Sequence, residues 1–80
     1  MIRIRVQLFS DFLQYLPPNT DFSGWMTSVE DGTTIQDLLA QIMIPVNSSL
    51  IITVNDTNKT SDYSLQDLDF VKIFPIAMGG

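Results

Sequence analysis

The chain has 80 residues, 45% of them hydrophobic, with no Cys, no His and nine acidic against four basic side chains, for a net charge of −5. Such a chain makes one small domain near the lower limit for a self-sufficient core. It excludes a disulfide framework, a thiolate metal site and a histidine general base, and its acidic balance argues against nucleic acid, whose phosphates need a basic footprint.

Residues 2–9 alternate: Ile2, Ile4, Val6 and Leu8 share one side, and Arg3, Arg5 and Gln7 the other, with Phe9 last. Period two predicts a strand with one buried face. The arginines then solubilise the outer face or meet an acidic partner patch. Met1-Ile2-Arg3-Ile4-Arg5 does not run apolar as a signal peptide does, and no apolar stretch approaches membrane-spanning length, so a cytoplasmic protein without a membrane partner is expected. Ser10-Asp11 offers a helix cap before one or two apolar turns through Phe12, Leu13, Tyr15 and Leu16, ended by Pro17-Pro18-Asn19-Thr20. Residues 22–30 read as a second strand with Trp25, Thr27 and Val29 on one side, a pattern that Gly24 weakens.

Asp31-Gly32 is turn chemistry. Thr33 and Thr34 are alternative N-caps: Thr33 stands three residues before Gln36, and Thr34 three before Asp37. Ile35, Leu38, Leu39 and Ile42 fall on one helix face, and Pro45 is expected to stop the helix. Leu50–Val54 is a β-branched run, hence a third strand. Asn55-Asp56-Thr57-Asn58 reads as a turn, with Lys59-Thr60 opening a short return strand, and Gln66-Asp67-Leu68-Asp69 as another turn. Phe70–Phe74 is the last strand, with Val71 and Ile73 toward the core and Phe70, Lys72 and Phe74 on the other side.

A final strand apolar on both faces belongs in the middle of a sheet. Set parallel beside the first strand, it gives an α+β, ubiquitin-like β-grasp: a mixed four- to five-stranded sheet packed on one main helix. The expected organisation is a single domain over residues 1–75 and a flexible tail over 76–80. The tail closes on Gly79-Gly80, which chance alone produces in about one chain in 200. Without Cβ atoms, such a tail threads a narrow channel and carries a carboxylate elsewhere. That carboxylate becomes an electrophile only when activated, for example as an acyl-adenylate. The chain has neither a Walker glycine loop nor a thiol, so another protein would have to activate it. The acidic residues fall mostly in turns and caps, with no pair placed for acid–base work, and no metal site is expected.

The chain resembles the MoaD/ThiS family of sulfur carriers, most closely its molybdopterin synthase small-subunit branch. The similarity lies in Ile52-Thr53-Val54-Asn55, in Tyr63-Ser64-Leu65-Gln66-Asp67-Leu68-Asp69-Phe70-Val71, and in Ile73-Phe74-Pro75-Ile76-Ala77-Met78-Gly79-Gly80. These look like the family's Val-Asn strand end, its Asp-Gly-Asp-x-Val segment and its Phe-Pro-x-x-x-Gly-Gly end. Val6-Gln7-Leu8-Phe9 and Leu16-Pro17 fit more weakly. Leu68 departs from the pattern, standing where the family has Gly. A leucine is strained at positive φ, so a turn of another type is expected there.

The resemblance implies a carrier and not an enzyme, with no bound cofactor. An adenylating enzyme of the ubiquitin-activating type would use ATP to charge the Gly80 carboxylate, and sulfur transfer would leave a thiocarboxylate. A large synthase subunit would then pass the sulfur to a molybdopterin or tungstopterin precursor. Gly80 would be the reacting residue and Gly79 would give threading clearance. Phe74, Pro75, Ile76 and Met78 would dock the partner; the plain alternative for Phe74 is an ordinary covered strand residue. The long segment between first strand and helix favours this branch over the compact thiamine carriers. Other outcomes are sulfur delivery to thiamine or another cofactor, a ubiquitin-like modifier joined through Gly80 to lysine, and a β-grasp interaction module with an inert tail. A carrier is expected to be monomeric when alone.

Overall fold

A computed structural model describes residues 1–21, 23–44 and 50–76. The N-terminal alternation becomes strand β1 (Ile2–Leu8), with Ile4, Val6 and Leu8 buried. Phe9 leaves the strand, and Ser10–Tyr15 form 3-10 helical turns. The expected cap is absent: Ser10 lies at φ 54°, Phe9 occupies the cap position, and no side chain there bonds to the turns. Buried Phe12 ties these turns to the core.

Strand β2 (Trp25–Val29) is shorter than residues 22–30 and begins after Gly24. Gly24 sits at φ +110°, and a Cβ there would lie 2.8 Å from the Val6 carbonyl oxygen. This is a turn pressed against β1 that a larger residue cannot make. Helix α1 (Ile35–Ile42) follows. Of the two alternative caps, Thr34 is the one used: its Oγ1 accepts from Asp37 N at 3.2 Å, and the Asp37 carboxylate accepts from Thr34 N at 3.1 Å. Thr33 instead donates its hydroxyl to the Glu30 carbonyl. The next two helical amides are satisfied by the later loop, Ile35 N by Tyr63 O and Gln36 N by Ser61 O. Met43, left-handed at φ 74°, closes the helix, with Ile44 N returning to Leu39 O. The helix therefore ends before Pro45, which lies outside the described residues.

Strand β3 (Leu50–Val54) turns directly into β4 (Thr57–Asn58). Asn55 and Asp56 both have positive φ, 54° and 69°, so the hairpin closes in two residues and the return strand starts two positions earlier than expected. Strand β5 (Phe70–Pro75) completes a five-stranded sheet in the order β2-β1-β5-β3-β4. β5 is central, parallel to β1 and antiparallel to β3, with Val71 and Ile73 fully buried. This is the mixed-sheet β-grasp expected from the alternation and element order. Among the described residues no helix is long and apolar enough to cross a membrane.

The turn before β5 keeps its positive φ. Leu68 stands at φ 67° and is 71% exposed, while Asp69 N bonds to Gln66 O, which corrects the expectation of another turn type. Neighbouring contacts hold the leucine there. Leu68 N donates to Arg3 O at 2.6 Å, and Asp67 Oδ1 accepts from Arg3 N at 2.9 Å. Asp69 is buried, and its carboxylate accepts from Asn55 Nδ2 (2.9 Å), Tyr63 OH (3.1 Å) and Gln66 N (2.8 Å). Asn55 Oδ1 in turn accepts from Phe70 N at 3.0 Å. The Asn55 and Asp67–Asp69 signature is thus a clamp joining β1, the β3–β4 hairpin and the start of β5.

Candidate functional site

β5 runs from that clamp to the root of the tail. Its alternation sends Phe70, Lys72 and Phe74 to the sheet face opposite the helix. The register aligns Phe70 with Arg5, Lys72 with Gln7 and Thr53, and Phe74 with Ile51. Phe9 N bonds to Ile73 O, and the Phe9 ring stacks on Phe74 with centroids 4.3 Å apart and planes 18° from parallel. Phe9, Phe74 and Ile51 therefore form an apolar row across the sheet at its tail end. Ile51 is 42% exposed, and Ile76, just past the strand, 40%. Pro75 is partly buried and pairs with Leu50 on β3.

Behind the apolar row the same face is cationic. The Arg5 guanidinium lies 5.5 Å and the Lys72 ammonium 5.0 Å from the Phe70 ring centroid. Arg5 donates to Ser23 O, and Lys72 pairs with exposed Asp56 at 3.3 Å. These contacts hold the heads of two long side chains over a neutral ring, a modest attraction at an exposed site. Asp21, in the turn before β2, is held below the usual carboxylate range, first by the Ser23 hydroxyl, then by Ser23 N–H, with a smaller pull from Arg5.

Of the residues singled out in the sequence, Phe74, Pro75 and Ile76 fall together at the tail root, whereas Met78, Gly79 and Gly80 lie outside the described residues. Phe9 and Ile51 were not singled out, yet they share this face. The signal for Phe9 was its odd-numbered position, which carries the Arg3-Arg5-Gln7 side one step further. For Ile51 it was an apolar residue on the outer side of a strand. Among the described residues no group of three or more acidic, His or Cys side chains is placed to hold a metal. The buried carboxylate of Asp69 is taken up by its three donors. The described face thus presents an exposed apolar row at one end and two cations over a ring at the other.

The profile of the ThiS family matches residues 20–80. No curated protein matches the chain. Among solved structures, a protein provisionally assigned as molybdopterin converting factor subunit 1, from Pyrococcus furiosus, superposes with a TM-score of 0.72 at 21% identity, covering 94% of this chain and 98% of that one. Two structures of small archaeal modifier protein 1 from Haloferax volcanii give the same TM-score. One has 12% identity, with 94% of this chain and 98% of that chain covered. The other has 14%, with 98% and 99% covered. At these identities the superpositions establish the β-grasp fold.

Proposed function

Because the chain belongs to the ThiS family, we propose that it is a sulfur carrier of the molybdopterin (or tungstopterin) branch, acting through the carboxylate of Gly80. The family match supports a carrier acting through its C-terminus, since it covers the domain from residue 20 onward and runs to Gly80. An adenylating enzyme of the ubiquitin-activating type is the first partner. The Gly80 carboxylate attacks the α-phosphate of ATP and pyrophosphate leaves. Hydrosulfide from a sulfur donor then displaces AMP, one carboxyl oxygen departs with the nucleotide, and a thiocarboxylate remains. A large synthase subunit is the second partner, receiving the tail and passing the sulfur to a pterin precursor. Phe74, Pro75 and Ile76, with Phe9 and Ile51 beside them, dock these partners at the root of the tail; Met78 adds an apolar contact, and Gly79 lets the chain pass. The carrier itself performs no catalysis and binds no cofactor; ATP belongs to the activating enzyme.

The test is the intact mass of protein with a free C-terminus, purified from cells that have their own sulfur-transfer machinery. A species heavier by the difference between sulfur and oxygen, localised to Gly80, is the expected result. Deleting Gly80 should abolish it and leave the fold unchanged. An unmodified mass after incubation with activating enzyme, ATP and sulfur donor would overturn the reading. One observation favours a second reading: the Haloferax modifier proteins superpose as well as the converting factor does. There Gly80 would form an isopeptide bond with lysine, and higher-mass conjugates of tagged protein in cells would reveal it.

A further inference from the structure

The face of the sheet that carries α1 holds a second feature, away from the tail. Pro17, Trp25 and Thr27 with Leu38, Gln41 and Ile42 of α1 line a cavity of about 130 Å³. A space of that order holds one group the size of a benzene ring or a branched aliphatic side chain. It lies along β2, the end strand of the sheet, and among the described residues no strand pairs with the far side of β2. Proteins commonly blunt such an edge with lysines, prolines or charges. β2 reads Trp-Met-Thr-Ser-Val and carries none of these.

An open row of backbone donors and acceptors beside a hollow lined by Trp25, Leu38 and Ile42, with Thr27 and Gln41 at its polar side, selects an extended chain. The ladder supplies hydrogen bonds and the hole takes an alternate side chain. Charge selects further. Between Arg5 and Lys59 the sequence has six acidic residues and neither Lys nor Arg. Asp21 stands before β2, Glu30 and Asp31 follow it, and Asp37 lies in the first turn of α1. Carboxylates therefore stand at both ends of the groove, Asp31 paired with the Met1 ammonium at 3.4 Å and Asp21 near Arg5. We propose that the β2 edge and this cavity dock an extended segment of a partner protein, with one bulky aliphatic side chain in the cavity and Lys or Arg residues flanking it. The site is on the opposite face from Phe74 and is independent of what the tail does.

The probe is the capped peptide Lys-Lys-Val-Ile-Val-Ile-Lys-Lys, titrated into the isotope-labelled full chain and followed by amide and methyl NMR. Expected are saturable shifts at the Trp25–Val29 amides, the Trp25 indole and the Leu38 and Ile42 methyls. Affinity should fall at least tenfold when the flanking lysines are replaced by glutamates, and should fall with added salt. Gln41→Trp, on the exposed side of the helix, should fill the cavity and remove the shifts with the spectrum otherwise intact. Glu30→Lys should weaken the lysine peptide and strengthen the glutamate one. No shifts at millimolar peptide, shifts confined to Ile51 and Phe74, or equal binding of both peptides would overturn the proposal. So would concentration-dependent broadening at β2 without peptide, which would give the edge to a second copy of this chain.

Discussion

The two ends of β5 are built on opposite principles. Where the strand begins, Asp67, Leu68 and Asp69 are bound to β1, to the hairpin and to each other's turn, and the one buried carboxylate of the described residues is enclosed there. Where it ends, Phe74 leans on one ring, Pro75 is only partly covered, and Ile76 stands out into solvent. Both ends belong to the sequence signature shared with the sulfur carriers. One half of that signature holds the fold together, and the other half stands partly exposed where the strand ends. Substitutions at the two ends should therefore separate stability from function.

The largest effect is expected at Asp69. Asp69→Ala strands Asn55 Nδ2, Tyr63 OH and Gln66 N inside the turn. Losing one side of a buried, charge-assisted network costs about 3–5 kcal/mol, against a total stability of about 5–15 kcal/mol for a domain. Urea unfolding should show that loss. Sulfur loading per folded molecule should be unchanged. A loss under about 1 kcal/mol would mean the clamp does not hold the fold.

At the other end the balance should reverse. Phe74→Ala removes a stacked pair worth about 0.5–1.5 kcal/mol beyond the area it buries, a moderate loss of stability. Loading of Gly80 by the activating enzyme should fall tenfold or more at equal folded concentration, because a docking aromatic beside the tail is the kind of residue that dominates an interface. Phe9→Ala should behave in the same way, since it takes the support from under Phe74. Unchanged loading in both variants would make the pair ordinary strand packing.

Sequence reading captured the parts of this comparison that periodicity encodes. Strict alternation placed β1, the i, i+3, i+4, i+7 spacing placed α1, and an apolar run on both faces put β5 at the centre of the sheet. It failed where a backbone dihedral decided. Asn55-Asp56-Thr57-Asn58 are all polar, and nothing in their order says that the chain reverses after two positive-φ residues and not after four. Ser10 looked like a cap but lies in the left-handed region itself. Leu68 misled in the other direction, because leucine gives no hint of positive φ and the bonds to Arg3 impose it. At the other end Phe74 stood out before Pro75 and alternation gave Phe9 its side of the sheet, but nothing gave their stacking. Their contact is made across two paired strands, and no local pattern joins them.

Leu68 offers a gain on the clamp side. A non-glycine residue in the left-handed region costs about 1–2 kcal/mol, and glycine gives back roughly 0.5–1 kcal/mol in chain entropy. Leu68→Gly should therefore stabilise the domain by up to about 1 kcal/mol, raising the urea midpoint at constant slope. Leu68→Ala keeps the Cβ and should show no such gain. If alanine stabilised as much as glycine, loss of the exposed leucyl side chain would be the cause, and not relief of backbone strain.

The smallest expected effect is a titration, and it too belongs to one end only. Burial, then the hydrogen bond to Asp69 and the nearby negative charge, push the Tyr63 hydroxyl above its ordinary value of 10.0. The folded state therefore keeps the phenol proton to higher pH than the unfolded chain does. Its contribution to stability is complete below pH 10 and is lost as pH rises through the folded value. The Lys59 ammonium lies 4.9 Å from the Tyr63 ring centroid, so the comparison needs a variant that keeps this contact. Tyr63→Phe removes the hydroxyl and keeps the ring beneath Lys59, so the difference between the two unfolding curves isolates the phenol. The parent should lose more stability than the variant as pH rises above 10, and alkaline shifts should begin at Asn55 and Asp69 while Phe74 and Ile76 stay still. Parallel curves would mean that the hydroxyl is not held by Asp69 in solution, and that the clamp rests on Asn55 and Gln66 alone.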